Sequence, residues 1–175
     1  MSLKKLKIIS VIAIFIISSL VHFGYDVFPS AITSYFFPVN ESIFEHQKMI
    51  LTAFFIWSII EYFILKKTKQ NNFFVATLAS ALICIIFVII VFSPVYLILL
   101  NKHDNMIITL LIYFIGIVIS QIVSYKILNS KINYKKLNIL SIIIYIMLMI
   151  LFAYLTYNPI HNDLFYDFTE NKYGI

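Results

Sequence analysis

A chain of 175 residues that is 62% hydrophobic and only 12% charged lacks the polar surface to cover a water-soluble globule, and its apolar residues come in long blocks. The net charge of +5 arises without a single arginine, from lysines gathered at the ends of apolar runs, a pattern of membrane orientation and headgroup contact rather than of nucleic-acid binding. One cysteine, Cys84, inside an apolar run, excludes an intramolecular disulfide.

Five spans are predicted. The first covers 6–28, with Lys4, Lys5 and Lys7 preceding its apolar run; the absence of an A-x-A-like cleavage site after it favours a retained helix over a leader. The stretch 29–40 is apolar but too short to cross, and Tyr35, Phe36 and Phe37 mark it as an interfacial or re-entrant piece. The second span covers 41–65 and the third 72–93, where Pro94 breaks or kinks it and the apolar residues after it form a possible kinked extension. The fourth covers 105–128 and the fifth 137–157, leaving a tail over 158–175. Each span has about the 20 residues that the hydrocarbon layer requires. The expected architecture is therefore an all-α integral membrane bundle of about five transmembrane helices, in a single domain over 1–175.

Ten lysines fall on one predicted side; Lys48, Lys102 and Lys172 fall on the other. The positive-inside rule then places the N-terminus inside and the C-terminus outside, in a cell membrane and, from the composition, a bacterial one. All four histidines and every carboxylate except Glu61 belong to the outer side. Glu61 itself is expected to snorkel toward Lys66 or Lys67 or to bond between helices, with an ion relay as the alternative.

The densest polar constellation is Asn40-Glu41-Ser42-Ile43-Phe44-Glu45-His46-Gln47-Lys48. With Asn40 as helix N-cap, Glu41 falls in the first turn, and Glu41 and Glu45 share one face. A plainer account needs no more than capping and a Glu45–Lys48 pair. His22 and Asp26, one turn apart, form a second constellation in which the aspartate can orient the imidazole; a lone interfacial histidine is the plainer account. The tail carries His161 and Asp163 among residues too apolar for disorder, and is expected to fold back over the outer mouth, bringing both toward His22 and His46. His103 and Asp104 lie in a turn expected to be exposed.

The stretch His22-Phe23-x-Tyr25 followed by Pro38-Val39-Asn40-Glu41-Ser42-x-x-Glu45-His46-x-Lys48, with Tyr173-Gly174 at the end, resembles the signature of an uncharacterised family of small bacterial polytopic membrane proteins, of the domain-of-unknown-function kind. This chain departs from that pattern at Phe44, where tryptophan is common, and at Gln47, where leucine is common. The resemblance implies a polytopic membrane protein and no particular activity.

Imidazoles and carboxylates together suit a divalent metal such as zinc. The candidate ligands are His22, His46, Glu45, His161 and Asp163, with Glu41 or Glu45 as general base and Asp26, Asn40, Ser42 and Lys48 in support. A metal here would serve hydrolysis of a lipid or membrane-proximal substrate. The alternatives are a non-catalytic accessory or partner-binding membrane protein, in which Asn40–Lys48 is a structural cap that docks the tail, and a small transporter.

Overall fold

In the computed structural model, which describes residues 1–66, 72–103, 105–133 and 135–175, five helices are long and apolar enough to cross a membrane. They are α1 (Leu3–His22), α4 (Ile43–Leu65), α5 (Phe73–Pro94), α6 (Met106–Leu128) and α7 (Lys135–Tyr157). Two short helices, α2 (Gly24–Val27) and α3 (Ala31–Phe36), occupy the connection from α1 to α4. The tail ends in an antiparallel ribbon of β1 (Tyr166–Asp167) and β2 (Lys172–Tyr173). The chain is a multi-pass membrane protein.

The long helices alternate in direction. α5 packs against α4, α6 and α7; α1 packs against α4 and α6; α7 lies against α4, α5 and the short α3. The side chains turned outward are apolar: Ile8, Ile12, Ile16 and Leu20 form one stripe on α1, and Ile139, Ile146 and Ile150 lie along α7. Such a surface is compatible with contact to a lipid bilayer. Small polar residues lie buried between the helices instead, among them Ser10, Ser18, Ser120, Ser124 and Ser141, where they permit close approach. The Ser10 and Ser18 hydroxyls donate to the carbonyls one turn back, at 3.0 and 2.8 Å.

Helix boundaries follow from local chemistry. α1 stops at His22, earlier than the predicted 28, and a Cβ at Gly24 would strike the Phe37 ring, so glycine there makes room for the close approach of that ring. α4 starts at Ile43, with Ser42 rather than Asn40 as its N-cap: Ser42 Oγ accepts from Glu45 N–H at 3.3 Å. Asn40 sits two residues earlier, its Oδ1 accepting from Ser42 N–H at 2.9 Å. Pro94 does not end the third span. Its missing N–H loosens the ladder, and the helix widens into a π-turn over Val95–Leu99, closed by Leu100 N–H donating to Val95 O at 2.9 Å. Asn138 of α7 caps α5 by accepting from Phe74 and Val75 N–H.

Glu61 does not reach Lys66; its carboxylate pairs with Lys7 of α1, both buried, and accepts from Ser10 Oγ. Lys7 lies one turn inside α1 rather than before it, so the two charges meet between neighbouring helices, where each neutralises the other out of water. Lys67 lies outside the described residues.

Candidate metal centre

The C-terminal end of α1, the entry to α4 and the tail meet at one end of the bundle. His22 is the last residue of α1, and His46 lies in the first turns of α4. Because α4 begins at Ile43, Glu41 stands before the cap and its side chain is free of the helix register. Its carboxylate turns to the two imidazoles. His22 Nε2 and His46 Nε2 are 3.3 Å apart, and Glu41 Oε2 is 3.6 Å from the first and 3.5 Å from the second. These three side chains form a group that could hold a metal ion, each offering one nitrogen or oxygen within 4.8 Å of the others.

His46 is oriented by its own helix. Its Nδ1 lies 2.9 Å from Ser42 O, and since a carbonyl only accepts, Nδ1 carries the proton. When the ring is neutral, the Nε2 that faces His22 and Glu41 offers a lone pair, the tautomer a metal ligand needs. The His22 ring lies edge-on to Phe23, centroids 4.9 Å apart. The Glu41 carboxyl is held below the usual carboxylate range, first by the His22 ring and then by His46, against the opposing effect of partial burial.

Glu41 is set in place from behind. Its backbone N–H donates to Asp167 Oδ2 at 2.9 Å, and Asn40 Nδ2 donates to Gly174 O at 2.8 Å. Phe44 N–H donates to Leu164 O, and the Phe44 ring is stacked between Phe152 of α7 and Phe165 of the tail. Asp167 is buried; burial raises its pKa, but bonds from Thr169 Oγ1 and from the N–H groups of Glu41, Glu170 and Thr169 outweigh it and hold the carboxyl below its ordinary value. Gly174 has φ +57°, and a Cβ there would strike Thr156 O.

The other sequence candidates lie elsewhere. Glu45 is fully buried and faces away from the triangle: its carboxylate pairs with Lys48 and accepts from Thr156 Oγ1 at 2.8 Å and Val39 N–H at 3.2 Å. Lys48 also donates to Ser34 O and Thr156 Oγ1 at 2.7 and 2.8 Å, tying α3, α4 and α7 together. The tail does fold back, but His161 packs on Tyr173, and Asp163 is exposed, 3.7 Å from Lys102. Asp26 is exposed on α2 and His103 is exposed beyond the π-turn; Asp104 lies outside the described residues. Asp167, Thr156 and Ser34 are the residues that sequence reasoning missed. Their partners are far away in the chain, and no local spacing marks them.

Beneath the triangle is a cavity of about 370 Å³ between α1, α4, α5 and α6, with His22, Glu41 and His46 in its wall. A larger groove of about 730 Å³ lies between α3, α4, α5 and α7, but no histidine, carboxylate or lysine lines it.

Residues 1–175 match the model of a family described as a family of unknown function, DUF6512. The chain belongs to that family. No curated protein and no solved structure matches it. Membership in the family assigns no chemistry.

Proposed function

We propose that His22, His46 and Glu41 bind a divalent cation, zinc being best suited, at the outer face of a bacterial plasma membrane, and that the cation serves hydrolysis of a membrane-borne substrate. The observation that carries this is the triangle of ligand atoms, with edges of 3.3, 3.5 and 3.6 Å. Such a triangle contains a point about 2 Å from all three corners, the length of a zinc–nitrogen or zinc–oxygen bond. Two histidines and one carboxylate are a known catalytic set, leaving a coordination position for water. A zinc held by these three residues would lower the pKa of a bound water to about 7, so that its proton could pass to solvent near neutral pH. Glu45, which only its residue type recommends as ligand or base, is assigned to the fold through Lys48. His161 and Asp163 are assigned to the tail surface.

The non-catalytic reading is supported by a different observation. The tail grips Asn40, Glu41 and Phe44 through hydrogen bonds and ring stacking, which is what a structural cap would do. A transporter has less in its favour: among the described residues, the buried acidic and basic groups of the spans form two closed pairs, Lys7–Glu61 and Glu45–Lys48, at opposite ends of the bundle.

Metal analysis separates the first two. Protein purified in mild detergent and dialysed against trace zinc is expected to retain one zinc per chain, with His46→Ala and Glu41→Ala retaining none while keeping the wild-type thermal transition of the metal-free protein. Absence of zinc from the wild type, with His46→Ala collapsing the fold, would leave the structural cap as the function of this segment.

A further inference from the structure

The cavity below the triangle has a floor, a back wall and an opening to one side. The floor is the contact of α1 with α6: Phe15 packs on Tyr113 and Phe114, at 6.2 and 5.7 Å between centroids, and Ser18 Oγ bonds Tyr113 OH. The back wall is apolar, made by Ile50 of α4 and Val88 and Phe92 of α5, all buried. Above the floor the lining residues Ser19 and Phe23 of α1 and Met106 and Leu110 of α6 are exposed, and Ser19 adjoins the outward apolar stripe of α1 at Ile16 and Leu20.

We propose that this cavity binds a single-chain amphiphile that enters sideways from the bilayer between α1 and α6. Its chain lies against Val88 and Phe92 and stops at Tyr113; its head rises to His22, Glu41 and His46. The position of the head rests on the proposed metal site, but the chain site does not. Two observations select this occupant over a water-soluble ligand. The cavity is lined mainly by apolar side chains, and its exposed lining residues adjoin the outward apolar stripe of α1, so an apolar chain would reach it from the bilayer without crossing water. Its histidines and its carboxylate come from the last residue of α1 and the entry to α4, the ends of two spans, where a lipid headgroup would sit.

Length selects among chains. The lining of α1 runs from His22 down to Phe15, two helical turns or about 10 Å. A leaflet is about 15 Å deep, half of a hydrocarbon core of about 30 Å. The Tyr113 floor therefore admits a medium-length chain and stops a full-length membrane acyl tail.

The test uses the whole protein in phosphatidylcholine vesicles, stripped of metal by chelation so that only the chain site is read. Decanoic acid carrying a terminal diazirine is photolysed with it, and the adducts are mapped by mass spectrometry. Adducts are expected to concentrate in 15–23 and 106–113, to disappear under excess unlabelled decanoic acid, and to survive excess octadecanoic acid. Leu110→Trp, which narrows the side opening at a partly exposed position, is expected to lose most of the labelling. Adducts spread equally over Ile139, Ile146 and Ile150 and unaffected by competitor would overturn the proposal. Zinc retention without chain labelling removes this proposal and leaves the metal site; labelling without zinc retention leaves the chain site and removes the metal.

Discussion

Lys48 has no exposed surface, and its ammonium is satisfied by the Glu45 carboxylate, Ser34 O and Thr156 Oγ1. Removing one partner of a buried pair leaves the other charge uncompensated, which typically costs about 3–5 kcal/mol. Lys48→Met is therefore expected to lower the thermal transition in detergent sharply, and Lys48→Met with Glu45→Gln to recover part of the loss. A double variant as unstable as the sum of its singles would rule out a coupled pair. Asp167 gives a pH dependence. Its folded pKa lies below the ordinary carboxylate value of 3.8, so its contribution to stability is complete above that value and is lost as pH falls through the lower folded value. Protease cleavage within 158–175 is expected to rise as pH drops below about 4 and, in Asp167→Asn, to be high already at neutral pH. The division of roles between Glu41 and Glu45 was not legible in the sequence. Both are carboxylates beside a helix start, and taking Asn40 or Ser42 as the cap decides whether Glu41 belongs to a helical face or stands clear of it.

Two elements position the candidate site: the first turns of α4 and the ribbon of the tail. Ser42 caps α4 through its side chain and orients His46 through its carbonyl. Loss of an N-cap serine costs about 1 kcal/mol. Ser42→Ala is expected to lower stability by about that amount while retaining zinc, since the carbonyl that fixes the His46 tautomer remains. Gly174 pins the ribbon against the end of α7 in a left-handed conformation that other residues adopt at a cost of about 1–2 kcal/mol. Gly174→Ala is expected to free the tail, seen as faster amide exchange over 164–175 with the spans unchanged. The existence of the tail contact was readable from Leu164, Phe165, Tyr166 and Phe168, which are too apolar to stay in water. Which of its acidic residues points inward was not, because Asp167 is buried in β1 while Asp163 ahead of β1 and Glu170 in the turn to β2 are exposed.

At the scale of the molecule, apolar run length and lysine placement were enough to outline five spans, because a bilayer demands about 20 apolar residues whatever the fold. They could not show which helices touch. The pairing of α1 with α4 and α6 is what brings His22 beside His46, and it depends on close packing at residues such as Ser10 and Ser18 that have no signature of their own. Orientation is tested with introduced cysteines, since Cys84 is buried. Ile175→Cys is expected to react with an impermeant thiol reagent in intact cells and Lys5→Cys only after lysis; the reverse would invert the proposed topology and move the metal to the inner face.

The most direct measurement is cobalt(II) titration of the detergent-solubilised protein, followed by visible absorption. A cation held by His22, His46, Glu41 and one water is expected to give the intense d–d bands of a four-coordinate ion, saturating at one cobalt per chain, displaced by zinc and absent in His46→Ala. Only the weak spectrum of hydrated cobalt, identical in wild type and variant, would contradict the metal centre.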